Sequence, residues 1–211
     1  MKDLLVYTAD ADAQAVMSEV LIRHQSLGIR AISCEVDRHT GRDSGMLATG
    51  PELVQFKKNE FRRVLLLWDH HGSGKEGQSC EKTQQELVFR LEKYTWTNNN
   101  MAIAILPELE SWLWHSPDAL LQHLQISEFD MASWQTEFTK RTAKDEDVAS
   151  ICREQPKEMF EYLVVKKERR KPRPSDFKAI ARIASLDKWQ QSPSFRMIVE
   201  GLKRWFPVIP R

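Results

Sequence analysis

The sequence predicts an α/β fold, with a doubly wound, mainly parallel sheet and a helical C-terminal region. Short apolar runs that stop at Gly, Pro or acidic residues alternate with amphipathic stretches of helical length in the first half. Such runs are typical of strands buried on both faces of a parallel sheet. Their alternation with helices favours a doubly wound sheet. The 211 residues, 41% of them hydrophobic, suffice for one such domain with a helical addition.

Strands are predicted at four places in the first half of the chain. They cover residues 4–7, 29–36, 64–68 and 101–106. In the second strand Ile32, Cys34 and Val36 alternate with polar residues, whereas the third and fourth strands are continuously apolar. The two continuous runs are therefore the candidates for the centre of the sheet.

Helices are predicted after each strand. They cover residues 13–25, 51–60, 81–94 and 108–115, and Gly28 ends the first of them. Pro51 opens the second, in the first turn where proline is tolerated. The segment between the second strand and Pro51, residues 39–50, is rich in Gly, Ser, Thr, Asp and Arg and is interpreted as a loop.

The character of the chain changes at Pro117, after which only helices are predicted. Their apolar spacing places them near residues 120–124, 131–139, 156–165, 175–183 and 194–205. We therefore predict an α/β domain over residues 1–116 and a helical, basic region over 117–211 that packs on it. The tryptophans that lie mostly at helical spacing are interpreted as core residues and not as platforms for base stacking; they are Trp112, Trp114, Trp134, Trp189 and Trp205.

Charge is distributed unevenly along the chain, although the net charge is only +1. Residues 1–140 hold 14 Lys and Arg against 20 Asp and Glu, whereas residues 141–211 hold 17 against 10. A metal site beside an anion-binding surface would have this asymmetry. Two differently charged, solvated faces would have it as well.

Several functional classes are disfavoured by simple patterns. No apolar stretch approaches the ~20 residues of a membrane helix, and the first residues do not resemble a signal peptide, so the cytoplasm is the expected compartment. Cys34, Cys80 and Cys152 form no CxxC pair and are interpreted as reduced thiols without a function. The glycines before Lys75 do not complete a P-loop.

Acidic residues follow the third and fourth predicted strands directly. Asp69 comes after the third strand, and Glu108 and Glu110 come after the fourth. Because ligands of parallel sheets bind beyond the carboxyl ends of the strands, we expect these carboxylates to form one site for Mg²⁺ or Mn²⁺. The alternatives are a turn-capping role for Asp69 and helix-dipole interactions for the two glutamates.

Two further groups could join this site. Asp10 and Asp12 follow the first strand, and the alternative for Asp12 is the N-cap of the following helix, where aspartate is favoured. His70 and His71 are adjacent and point in different directions, so at most one would face Asp69. An imidazole could ligate Mn²⁺ or act as a general acid or base, or it could be merely solvated. Zinc is disfavoured because no Cys/His set has the spacing of a structural zinc site.

A basic run in the second half is the candidate nucleic-acid interface. Its cationic residues are Lys166, Lys167, Arg169, Arg170, Lys171 and Arg173. Such a run can neutralise phosphates without reading sequence. The alternative is a solvated basic loop.

Three segments of the chain, residues 4–12, 64–74 and 103–114, together resemble the topoisomerase–primase (TOPRIM) fold. The turn at residues 107–113, Pro-Glu-Leu-Glu-Ser-Trp-Leu, is similar to one that marks a family of uncharacterised TOPRIM-like bacterial proteins. A weaker similarity lies in the Pro-x-Phe segment at residues 192–202.

This resemblance implies Mg²⁺-dependent phosphoryl transfer on nucleic acid. TOPRIM domains carry a Glu after the first strand and an Asp-x-Asp after a later one. Asp69 matches the first Asp of that pair, whereas His71 stands at the second. The family Glu falls near Thr8, so that Asp10 would have to substitute for it. The remaining matches are Asp12, at an acidic position of the following helix, and Glu110, in the Pro-Glu-x-Glu turn.

Three functions follow as expectations. The first is a divergent Mg²⁺- or Mn²⁺-dependent nuclease in which Asp69, His71 and Glu110 are catalytic. The second is a non-catalytic subunit that binds nucleic acid or a protein partner encoded nearby, because relatives often accompany genes of bacterial defence or mobile elements. The third is a phosphoesterase for small molecules, which the extended basic run disfavours.

Overall fold

A parallel sheet forms the centre of the protein in a computed structural model that describes residues 1–142 and 147–208. Its strands are β1 (Lys2–Thr8), β2 (Cys34–Arg38), β3 (Phe61–Asp69) and β4 (Asn100–Ile105). The order across the sheet is β2-β1-β3-β4, and every neighbouring pair is parallel. The prediction of an α/β fold with a mainly parallel sheet is therefore confirmed.

Helices make up most of the remaining described residues. They are α1 (Ala11–Ile22), α2 (His24–Leu27), α3 (Arg42–Val54), α4 (Cys80–Lys93), α5 (Glu110–Leu113), α6 (Pro117–Leu124), α7 (Glu128–Thr142), α8 (Val148–Glu154), α9 (Pro156–Glu168), α10 (Pro174–Ile183), α11 (Leu186–Trp189) and α12 (Pro193–Trp205). Within the ranges that the structure describes, none of them is both long and apolar enough to cross a membrane.

Both faces of the sheet are covered. On one face, side chains of α3 and α4 pack in a cluster that includes Trp68 and Trp96. On the other, α1 packs together with helices of the second half in a larger cluster. Apolar residues of segments 1–116 and 117–211 share that larger cluster, so the second half covers the sheet directly. The division into two domains at residue 116 stays a prediction.

Aromatic side chains join α5 to the last helices of the chain. Trp112 lies 5.0 Å from Phe195, and Phe195 lies 5.4 Å from Trp189, ring centre to ring centre. The indole N–H of Trp112 donates to the Ser194 hydroxyl at 2.9 Å. Such edge-on pairs add on the order of 1 kcal/mol each to the burial of the rings. The interpretation of Trp112 and Trp189 as core residues is confirmed, since both are fully buried.

The loop predicted at residues 39–50 and the helix predicted at 51–60 are both wrong. Helix α3 already begins at Arg42 and ends at Val54, with Pro51 inside it. Met46, Leu47, Gly50 and Val54 line its buried side at helical spacing, which the many polar residues between them obscured. The chain continues as a short 3₁₀ turn, Gln55–Lys57.

Arg90 explains how proline is tolerated inside α3. Pro51 has no N–H to donate to the carbonyl of Leu47, one helical turn before it. The Arg90 guanidinium donates to that carbonyl and also to the carbonyl of Ala48 at 2.7 Å. It forms an ion pair with Glu52 of the same helix as well.

Two other predicted bounds differ from the structure. Strand β2 begins at Cys34 rather than at residue 29. The chain before it is held at the sheet's edge by Asp3, which accepts from the Ser33 N–H at 2.9 Å and pairs with Arg30. Helix α5 covers only Glu110–Leu113 of the predicted 108–115, and Pro117 opens the next helix.

Candidate metal centre

The topology creates a crevice beyond the carboxyl ends of β1 and β3. The connection after β1 runs through α1 on one face of the sheet, whereas the connection after β3 runs through α4 on the other. Neighbouring strands whose connections diverge in this way leave a natural ligand site between them. Asp10 follows β1 and Asp69 ends β3, so both lie at this position.

Three predicted acids converge at this crevice. Asp69, Glu108 and Glu110 each present a carboxylate oxygen, and these oxygens lie within 4.8 Å of one another. We call these three residues the acidic triad. The members are only 8%, 5% and 6% exposed, respectively. Their clustering is what the sequence predicted from the two strand ends.

Backbone hydrogen bonds hold the two turns of the triad together. The Leu109 N–H donates to the Asp69 carboxylate at 2.9 Å. The His71 N–H donates to the Pro107 carbonyl at 3.0 Å, next to the cis peptide bond that precedes Pro107. These two bonds hold the turn after β4 against the turn after β3. The backbone therefore helps to fix the positions of the three carboxylates.

Three more aspartates surround the triad. Asp43 accepts a hydrogen bond from the Asp69 N–H at 2.8 Å. Asp10 is the N-cap of α1 and accepts from the Ala13 N–H at 2.8 Å. Asp12 lies in the first turn of α1. The N-cap role considered for Asp12 thus belongs to Asp10, and neither Asp10 nor Asp12 belongs to the triad itself.

Burial and mutual repulsion disfavour the charged forms of these acids. Burial, followed by the charges of Asp10 and Glu110, raises the pKa of Asp69 well above its usual range. Burial raises the pKa of Glu110 to about 8. Burial, with repulsion from Asp10, raises the pKa of Asp12 to about 6. Carboxylates crowded in this way need protons or a cation.

Lys157 is the ammonium group closest to the triad that the structure identifies. Its Nζ lies 3.5 Å from Oε2 of Glu108, at the first turn of α9. Burial lowers its pKa, but attraction to Glu110 and Glu108 outweighs this effect and raises the pKa above its ordinary value. One ammonium cannot balance the charge of the triad and the surrounding aspartates.

The remaining predicted residues near the crevice play different parts. Burial raises the pKa of Glu108, and the nearby His71 opposes this rise only in small part. His71 is exposed and does not belong to the triad. His70 is buried, and its Nδ1 has no hydrogen-bond partner among the described residues. Thr8 is buried, and its hydroxyl donates to the Asp10 carbonyl at 2.9 Å.

The sequence does not point to Asp43 or Lys157 as members of the site. Asp43 lies in the segment predicted as a loop, and the helical spacing of the buried residues of α3 is the signal that places it on a helix. Lys157 is separated from the triad by 47 residues and several helices, counted from Glu110. No local pattern in the sequence points from Lys157 to the crevice.

Much of the basic run interacts within the protein. Lys166 forms an ion pair with Glu137, Arg170 with Asp176 at 2.6 Å, and Lys171 with Glu161 at 2.9 Å. The Lys167 ammonium donates to a backbone carbonyl at 3.1 Å, whereas Arg169 and Arg173 are exposed. Lys166 and Lys167 end α9 instead of lying in a loop. The role of the run in nucleic-acid binding stays a prediction.

No protein-family model, curated protein or solved structure matches this chain. The similarity to TOPRIM proteins therefore stays a prediction from the sequence. The parallel sheet and the buried acidic triad are the observations that bear on function.

Proposed function

We propose that the protein is a phosphodiesterase that depends on Mg²⁺ or Mn²⁺ and acts on nucleic acid. The observation that carries this proposal is the acidic triad, buried at the switch point of a parallel sheet with too little positive charge around it. The donors are carboxylate oxygens, which suit hard divalent cations and disfavour softer ones. The residue types present therefore fit the proposed metal.

Asp69, Glu108 and Glu110 would hold the cation. When bound, it would polarise a phosphoryl oxygen and make a water molecule more acidic. Two contacts position Asp69. Its backbone N–H donates to the Asp43 carboxylate, and its own carboxylate accepts from the Leu109 N–H. Asp10 and Asp12 add negative charge that strengthens the attraction for a cation.

Cationic side chains at the rim of the crevice would bind the phosphate. Lys157 reaches the triad from α9, and its ammonium can donate to a phosphate oxygen. Arg42 is exposed, and it lies close enough to Asp12 to oppose in small part the rise in pKa that burial causes there. His71 is exposed near Glu108 and could give a proton to the leaving oxygen.

A cleavage assay with matched variants tests the proposal. Single- and double-stranded DNA and RNA are incubated with the protein in Mg²⁺, Mn²⁺ or EDTA. We expect cleavage that needs metal and falls at least about a hundredfold in Asp69→Asn and Glu110→Gln, since both remove a ligand charge. Glu19→Gln is the control, because Glu19 is equally buried but is paired with Arg182 and Lys178 outside the crevice.

Two results would contradict the proposal. Salt-sensitive binding of nucleic acid without cleavage would favour the non-catalytic subunit. Cleavage that persists in both triad variants would place the chemistry elsewhere.

A small phosphodiester is the second candidate substrate. The internal partners of Lys166, Arg170 and Lys171 reduce the free positive surface available to a long polyanion. Metal-dependent hydrolysis of bis(p-nitrophenyl) phosphate, without cleavage of any nucleic acid, would favour this alternative.

A further inference from the structure

A pocket of about 380 Å³ lies at the amino ends of β1 and β3, the end of the sheet opposite to the acidic triad. Asp3 of β1, Arg62 and Arg63 of β3, and Asn99, just before β4, line this pocket. Asp69 follows Arg63 by six residues along β3, which is about 20 Å at the rise of a parallel strand. The pocket is therefore separate from the crevice that holds the triad.

Cationic side chains dominate the lining of this pocket. Among the described residues, four cations face a single carboxylate, that of Asp3. The cations are Arg30, Lys58, Arg62 and Arg63. The Asp3 carboxylate already has a partner, since it accepts from Arg30 at 2.8 Å. The other three cations form no ion pair within residues 1–142 and 147–208, so their positive charges are not balanced there.

Aromatic rings hold two of these unbalanced cations in place. The Lys58 ammonium lies 4.3 Å from the ring centre of Trp96, which is fully buried. The Arg63 guanidinium lies 5.1 Å from the ring centre of Trp205 and 5.9 Å from that of Phe206. The face of an aromatic ring attracts a cation without accepting its N–H groups in conventional hydrogen bonds. The two cations are thus positioned while donors remain for an anion.

Partial burial makes these charges costly to the folded protein. Burial lowers the pKa of Lys58 and also that of Arg63. Arg30 shows the opposite effect, because its hydrogen bond to Asp3 raises its pKa. A cation that loses water without gaining a carboxylate destabilises the folded state. A bound anion would remove this cost.

The size and chemistry of the pocket favour a small ligand with several negative charges. Its volume falls in the range of roughly 300–1,000 Å³ that is typical of small-molecule sites. Linked phosphoryl groups concentrate two or more charges in a small volume, and guanidinium groups bind their oxygens in pairs. The indole of Trp205, which is half-buried in the lining, offers a flat surface for a ring of the ligand.

We infer that this pocket binds two linked phosphoryl groups, as in pyrophosphate or in a nucleoside diphosphate. Arg62 and Arg63 donate to the phosphoryl oxygens, and Lys58 supplies a third positive charge. The base of a nucleotide lies against Trp205. This inference is independent of the proposed phosphodiesterase activity, because no residue of the acidic triad lines the pocket.

Calorimetric titration of the full chain with pyrophosphate, ADP and GDP in EDTA tests the inference. The chelator removes divalent cations, so a metal–phosphate complex at the acidic triad cannot account for the heat. We expect binding that Arg62→Met and Arg63→Met each weaken at least about tenfold, since each removes a charged donor. Lys82→Met is the matched control, because it removes an exposed lysine of α4 that does not line the pocket.

Two features of this design keep the result interpretable. Arg62 is exposed, so Arg62→Met tests the pocket even if Arg63→Met disturbs the fold. The three compounds also distinguish the sources of the diphosphate group. Tighter binding of ADP or GDP than of pyrophosphate would identify a nucleotide as the ligand, whereas equal affinities would show that the diphosphate group alone is recognised.

Several outcomes would overturn the inference. They are a lack of binding by all three compounds, binding that both arginine variants retain, and an equal loss of binding in Lys82→Met. Inorganic phosphate that binds as tightly as pyrophosphate would show that the pocket takes only one phosphoryl group. Binding of a single-stranded oligonucleotide without any binding of the small compounds would assign the pocket to a polymer instead.

Discussion

At the scale of single residues, the acidic triad is a source of instability in the absence of a cation. Asp69 is buried beside other carboxylates, and burial holds the pKa of Glu110 at about 8. Elsewhere, buried acids have partners: Glu19 pairs with Arg182, and Asp176 pairs with Arg170. This contrast supports the proposal that the crevice binds a cation.

Replacing Glu110 should stabilise the metal-free protein. The Glu110→Gln side chain has a similar shape and needs neither a proton nor a cation. We expect the free energy of unfolding in EDTA at pH 7 to rise by about 1–3 kcal/mol, measured by urea denaturation. Glu19→Gln should lower it, since that change breaks ion pairs. A Glu110→Gln protein less stable than the wild type would contradict the repulsion that we infer.

The stability of the metal-free protein should fall as the pH rises toward 8. Glu110 has a pKa of about 8 in the folded protein and about 4.5 as its ordinary value, so the folded state binds more protons between these limits. The contribution of Glu110 is therefore complete below pH 4.5 and is lost as the pH passes 8. Asp12 acts in the same direction between pH 3.8 and about 6.

Melting temperatures between pH 5 and pH 8.5 in EDTA measure this effect. Burial lowers the pKa values of His39, which is buried, and of His115, which is half-buried, so both act in the opposite direction below their ordinary pKa of 6.5. The comparison with Glu110→Gln separates the two contributions, because only the glutamate contribution disappears. If the difference in melting temperature between the wild type and Glu110→Gln stayed constant from pH 5 to pH 8.5, this would contradict the raised pKa of Glu110.

At the scale of elements, the continuous apolar runs predict their strands correctly, and the helices predicted at 81–94, 156–165, 175–183 and 194–205 are confirmed as α4, α9, α10 and α12, whereas α3 is not predicted. Residues 64–68 and 101–106 correspond to β3 and β4. A strand that is buried on both faces is apolar at every position, so it is easily recognised in the sequence. Helix α3 was missed because proline and several glycines normally end helices. The carbonyl that Pro51 leaves free is satisfied by Arg90 from another helix, a contact that no local pattern predicts.

Arg90 should therefore contribute more to the free energy of unfolding than an arginine on the surface does. Arg90→Met leaves two carbonyls and Glu52 without their donor, and we expect a loss of about 2–4 kcal/mol in urea denaturation. Arg62→Met, at an exposed position of β3, is the control and should change little.

A second substitution in α3 tests the reason for this loss. Pro51→Ala restores an N–H that can bond to the Leu47 carbonyl within the helix. In the Arg90→Met background it should recover part of the lost stability. Strictly additive effects of the two substitutions would show that Arg90 does not act through the proline.

At the scale of the whole molecule, the sequence located the site but not all of its members. The positions of Asp69, Glu108 and Glu110 follow from strand ends that meet at one edge of a parallel sheet. Asp43 and Lys157 approach from α3 and α9, and their contacts depend on how those helices pack. The sequence also suggested a free basic surface at residues 166–173, where the structure shows several internal ion pairs.

Calorimetric titration of Mn²⁺ into the metal-free protein tests the central claim, a divalent-cation site in the acidic triad, most directly. We predict that the wild type and Glu19→Gln bind the ion and that Mg²⁺ competes for it. Asp69→Asn and Glu110→Gln should lose the binding, with an affinity at least about a hundredfold weaker because each removes a ligand charge. Absence of Mn²⁺ binding in the wild type, or binding that both triad variants retain, would contradict the account.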